Sequence, residues 1–166
     1  INAEYLSSGA PSLDLLRDEQ LADPFCIAVR RYLQDGHAGD IPDSTSLRRA
    51  IWLAREVCPR TGVHRLFDRD GILYRRVSQP SDSAVGYSDT DVLVAPASLQ
   101  HALVTAFHDY AGHGSAQRTL NLLRVRYYWP NMSRQVNEHV AECHECTLAT
   151  NTSARPRQPT GPTLGH

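Results

Sequence analysis

The sequence predicts an α+β protein. A small N-terminal extension of helices and a β-hairpin is expected over residues 1–95, followed by a metal-stapled three-helix bundle over 96–149. Three observations carry this. Apolar residues recur at helical spacing near both ends of the chain, β-rich runs joined by Asp70-Gly71 lie between them, and two histidines and two cysteines occur late at metal-ligand spacing. A length of 166 residues allows one domain or two small ones and excludes a large multidomain enzyme. Hydrophobic residues make up 41% and charged residues 21%, the balance of a water-soluble chain, and no run approaches the roughly 18 apolar residues of a membrane span. A membrane partner is therefore not expected.

The first helical period uses Leu13, Leu16, Leu21, Phe25, Ala28, Val29 and Leu33. Asp23-Pro24 interrupts it, so one helix is expected up to about Leu16 and another after Pro24. The run from Gln34 to Ser46 carries two Gly, a Pro and short polar residues and reads as a loop. Ser46 is the candidate cap of the next helix, along which Leu47, Ala50, Ile51, Ala54 and Val57 recur until Cys58-Pro59 stops it. His64–Asp68, Gly71–Val77 and Asp91–Pro96 read as strands, and Ser78–Thr90 as a long mobile loop. From Ser98 to His108 a helix is expected, with Leu99, Ala102, Leu103, Ala106 and Phe107 on one face, ended by DYAGHG. Ser115 caps a further helix to about Arg126, striped by Ala116, Leu120, Leu123 and Tyr127. After Trp129-Pro130, either Asn131 or Ser133 starts a last helix whose apolar face, Met132, Val136 and Val140, continues to Cys143 and so places that thiol on the buried side. Tyr127 and Trp129 are expected in the core of this unit. Beyond Cys146 the proline-containing stretch reads as an extended linker, 150–166, with the fold ending near Ala149.

The strongest chemical signal is His108, four residues, His113, twenty-nine residues, Cys143, two residues and Cys146. Two imidazoles and two thiolates suit a single tetrahedral Zn2+. With four protein ligands no coordination position remains for a water, so such a zinc is structural and no catalytic residue is assigned. The competing reading makes Cys143 and Cys146 a redox pair or plain buried thiols. Redox pairs of this spacing open helices, however, and this one is expected at a helix end. His101 and His139 are rival ligands by their position on the same helix faces, while His144 is expected to face solvent. Cys26 and Cys58 are too far apart in sequence and too few to suggest a disulfide scaffold.

The run from Val94 to Thr147, with its HD and AGH pieces, the Arg-Thr-Leu of the next helix, the YYWPNM turn and CHEC, resembles the His-His-Cys-Cys zinc-binding domain of retroviral and gypsy-class LTR-retrotransposon integrases. GILYRRV, LVAPASL and the helical run from Asp18 to Gly36 are similar to the extension that precedes that domain. The histidines stand two residues closer together than is common in gypsy-class elements. The resemblance implies a bundle of helix-turn-helix character that helps integrase subunits associate and contacts the double-stranded ends of the element.

Charge distribution and side chains permit that role. Seventeen basic residues, all arginine, nearly cancel eighteen acids, so the total of −1 predicts no partner. Up to Ala95 there are eleven Arg against fourteen acids, a balance of −3; from Pro96 onward six Arg face four acids, a balance of +2. Gln117, Arg118, Asn121 and Arg124 lie off the apolar stripe of their helix and are candidate DNA contacts, with Arg155 and Arg157 as further phosphate contacts. A merely solvated helix face is the plain alternative. The chain is thus expected to be a fragment of a longer protein, an integrase piece without its catalytic core and without a small-molecule substrate. It is expected to act in the nucleus or in a cytoplasmic particle and not to be secreted. The alternative is a domesticated zinc-stapled module for protein contacts without DNA affinity.

Overall fold

In the computed structural model the described residues are 10–36, 45–58, 62–80 and 87–153. α1 (Leu13–Ala22) starts at Ser12, whose hydroxyl accepts from the Leu15 amide at 3.2 Å. It runs on to Ala22, past the expected end near Leu16, because the break lies at Asp23 itself: the residue before Pro24 is held extended, φ −79° and ψ 123°. α2 (Pro24–Asp35) closes on Gly36 in the left-handed region at φ 67°, where glycine carries no Cβ penalty. α3 (Thr45–Arg55) begins earlier than expected, so Ser46 sits inside its first turn instead of capping it. It also stops sooner, since Val57 is bridged to His64 as extended chain.

β1 (Leu66–Arg69) and β2 (Ile72–Pro80) form a hairpin through Asp70 and Gly71 at φ 54° and 75°, the two positive values a two-residue type I′ turn requires. β3 (Tyr87–Val94) is antiparallel to β2, with register from Tyr74↔Leu93 to Pro80↔Tyr87. The expected loop at Ser78–Thr90 is therefore corrected: both of its ends are ladder, reinforced by Ser78 donating to Asp89 at 2.7 Å and by Asp91 accepting from Arg69 at 2.8 Å and Arg76 at 2.9 Å. Polarity misled there because this part of the sheet is held by cross-strand polar pairs.

α4 (Ala97–Tyr110), α5 (Ala116–Arg124) and α6 (Met132–Glu142) make the three-helix bundle, and α7 (His144–Ser153) follows. Ser115 caps α5 as expected, at 3.3 Å from the Arg118 amide. Asn131 precedes α6 in a left-handed conformation, without a side-chain cap bond. Two further expectations are corrected. α7 takes in residues 150–153, the first four of the expected linker, whose remainder, 154–166, lies outside the described residues, and Tyr127 lies beyond the end of α5 in a short strand, β4 (Tyr127–Tyr128). β4 pairs parallel to β3, completing a sheet of order β1-β2-β3-β4, with Leu93 donating to Arg126 O at 2.7 Å and Ala95 to Tyr128 O at 2.9 Å. Among the described residues no helix is long and apolar enough to cross a membrane.

The β3/β4 pair is a wall between two cores. Side chains alternate across a strand. Val94 and Tyr128 thus serve one core, with Cys26, Val29, Leu53 and Leu73; Leu93 and Tyr127 serve the other, with Leu103, Leu123, Trp129 and Val136. Buried Gln20 extends the β2/β3 ladder by one side chain: its amide donates to Leu73 O at 3.1 Å and Val94 O at 2.7 Å, and its oxygen accepts from Leu73 N at 2.7 Å. Cys26 and Cys58 are both buried. Burial, then the Asp23 carboxylate, push the Cys26 thiol far up, so it packs as a neutral core residue.

Asp23 joins the halves. Its Oδ1 accepts from Cys26 N at 2.9 Å, capping α2, while Oδ2 accepts from Ala97 N at 2.8 Å, capping α4, whose own N-cap, Pro96, has no side-chain acceptor. Replacing Asp23→Ala leaves two helix starts uncapped and should cost about 2 kcal/mol or more in urea unfolding, whereas Asp14→Ala, an exposed pair with Arg17, should change stability by less than about 0.5 kcal/mol.

Candidate metal centre

The four predicted ligands converge. One nitrogen or sulfur from each of His108, His113, Cys143 and Cys146 lies within 4.8 Å of every other. His108 is on the last turn of α4 and fully buried; its Nε2 is 3.3 Å from Cys146 Sγ. His113 Nδ1 is 3.4 Å from Cys143 Sγ. Two corners of a tetrahedron with Zn–S of about 2.3 Å and Zn–N of about 2.0–2.1 Å lie about 3.5 Å apart, so the donor set and its spacing fit one zinc ion.

Local structure explains the short histidine gap. α4 ends at Tyr110, and Gly112 and His113 then take left-handed conformations in succession, φ 65° and 53°, bringing the His113 amide to His108 O at 3.1 Å. A left-handed histidine costs roughly 1 kcal/mol of backbone strain, small beside the zinc–ligand energy it makes available. The cysteines straddle a helix junction. Cys143 is the extended residue between α6 and α7, and Cys146 lies on the first turn of α7. The expected placement is thus corrected in two respects: the pair opens a helix as well as following one, and Cys143 is half-buried. Position at a helix end therefore no longer argues against redox chemistry. The convergent imidazoles do, by completing a metal donor set.

The electrostatics favour ligation. Burial, and then His113 and His139, hold the His108 imidazole below its ordinary pKa and so neutral. The backbone amide of Cys146, with His113 and the amide of Glu145, pulls the Cys143 thiol down toward thiolate. Burial and the neighbouring Cys143 push Cys146 up. A cation between them would overcome that rise.

Two supporting residues were missed in the sequence. Buried Thr119 on α5 has its hydroxyl 3.3 Å from His108 Nδ1, which directs the Nε2 lone pair toward the site. Asp109 Oδ1 is 3.9 Å from His113 Nε2. Thr119 was legible as a polar residue within the stripe Ala116, Leu120, Leu123. The rivals fall outside the ligand set: His101 and His139 touch each other edge to face at 5.6 Å, and His139 touches the His108 ring at 5.6 Å. His144 is exposed. Gln117, Arg118, Asn121 and Arg124 are all exposed on α5; Gln117 donates to Asn121 at 2.7 Å and Arg124 to Ser133 at 3.0 Å. Arg155 and Arg157 lie outside the described residues.

Fold and site together define a helical module stapled by a His2Cys2 zinc centre. Residues 95–152 match the family model of the integrase zinc binding domain. Over these residues the chain is therefore similar to an integrase zinc-binding domain. No curated protein and no solved structure matches the chain.

Cys143→Ser and His113→Ala should each abolish stoichiometric zinc by elemental analysis and unfold the helices of the C-terminal half by circular dichroism, while Cys58→Ser keeps one zinc per chain. Thr119→Val should retain the fold in excess zinc but weaken zinc affinity about 10–100-fold in a chelator competition.

Proposed function

We propose that the chain is the non-catalytic, zinc-binding N-terminal region of a retroelement integrase, which assembles subunits and contacts the ends of the element's DNA. The observation that supports this most is the two-sidedness of α5. One face is fixed against the metal centre through Thr119 and against the core through Leu120 and Leu123. The other presents Gln117, Arg118, Asn121 and Arg124 to solvent. A helix held on one side and carrying guanidinium and amide groups on the other has the chemistry to meet phosphates and base edges. The closed ligand set supplies no metal-bound water, so the zinc serves architecture. Subunit association would bury apolar surface such as Val125 and Tyr110, 48% and 41% exposed. The place of action would be the nucleus or a particle carrying the element's DNA.

The test is binding of the zinc-loaded chain to duplex ends by anisotropy across a salt series. Affinity should fall steeply with salt, and Arg118→Ala should weaken binding and lower the salt slope by about one. Salt-independent or absent binding would leave the module a structural one for protein contacts.

A further inference from the structure

A groove of about 570 Å³ lies between α3 and β2 of the extension on one side and the α5–β4–α6 side of the zinc module on the other. Its walls carry Arg49, Arg65, Arg75 and Arg124 against a single carboxylate, Glu56. Glu56 is shared by Arg65 at 3.3 Å and Arg75 at 3.1 Å. Arg49 makes no hydrogen bond or ion pair among the described residues, and Arg124 bonds only to the neutral Ser133 hydroxyl. An uncompensated guanidinium therefore stands on each wall. Two aromatic plates accompany them. Tyr128 is covered by the Arg75 guanidinium, 3.9 Å from its ring centroid, while the Trp52 indole is 65% exposed.

Resting on the DNA-binding reading above, we propose that this groove holds an unpaired strand of nucleic acid, with a base stacked on Trp52 and its flanking phosphates on Arg49 and Arg124. An open π face beside bare guanidiniums matches the alternation of base and phosphate along a single strand. An acidic peptide would use the charges but leave the indole without a planar partner. Arg124 ties the groove to the α5 surface: it belongs to the exposed face of that helix and also lines the groove. A strand parting from a duplex docked on α5 thus enters between the two halves, where the extension meets the zinc module.

The experiment titrates the zinc-loaded chain with single-stranded oligothymidine of about 15 nucleotides and with a blunt duplex of equal length, reading tryptophan fluorescence and anisotropy. Oligothymidine should quench the emission of exposed Trp52, because Trp129 is buried. Trp52→Ala should weaken oligothymidine binding about tenfold and leave blunt-duplex binding unchanged. Arg49→Gln should weaken it too and lower its salt slope by about one, while Arg118→Ala should act mainly on the duplex. Oligothymidine affinity unaltered by both Trp52→Ala and Arg49→Gln, with duplex binding intact, overturns the groove proposal alone and leaves the surface to a protein. Failure of the unaltered chain to bind either ligand overturns the DNA-binding reading along with it.

Discussion

The convergence of two imidazoles and two thiols is the constraint on which the C-terminal half depends. α4 reaches the site through its last turn, the α4–α5 turn through His113, and the α6–α7 junction through both cysteines. α5 gives no ligand yet is bound into the same cluster by Thr119. A helical unit of this size buries too little apolar surface to order such a set of turns by itself. The left-handed His113 is a local conformation that a bare chain would avoid. A metal that draws these groups together converts an unfavourable local geometry into a determinate one.

Electrostatics and packing act in the same direction. The most buried ligand, His108, is the one whose environment keeps it uncharged. Cys143, the extended residue just ahead of α7, is met by backbone amides that favour its anion. Core residues lie directly behind: Leu103 and Val104 precede His108 on α4, and Val136 faces them from α6. The polar face of α5 thereby inherits a rigid back.

Much of this was legible in the sequence. The four ligands, the Ser115 cap and the Asp70-Gly71 turn rest on local rules, in which spacing or a single residue type dictates the outcome; the α4 face was read only in part, since Ala102 is exposed and Val104 is buried. What was not legible depends on contacts far along the chain. Tyr127 fits the helical stripe of α5 as well as it fits a strand, and only the open edge of β3 decides between them. Ser78 and Asp89 look like loop residues until they face each other across a ladder. The helix after Cys143 has almost no apolar stripe. Its first turn is set by the position of Cys146 and by the Thr147 amide and hydroxyl, which meet Cys143 O at 3.0 and 2.9 Å.

The doubly engaged carboxylate of Asp23 has an implication for how this chain could be altered. Because one side chain starts a helix in each half, and the paired strands β3 and β4 contribute to both interiors at once, the segment before Ala95 is not an appendage with its own separate stability. A chimera that grafts the zinc-bearing helices onto a foreign leader would bare one flank of Tyr128 and deprive α4 of its acceptor. Recombination between related chains would therefore be poorly tolerated at the boundary where the family match begins, because it separates Asp23 from α4 and β3 from β4.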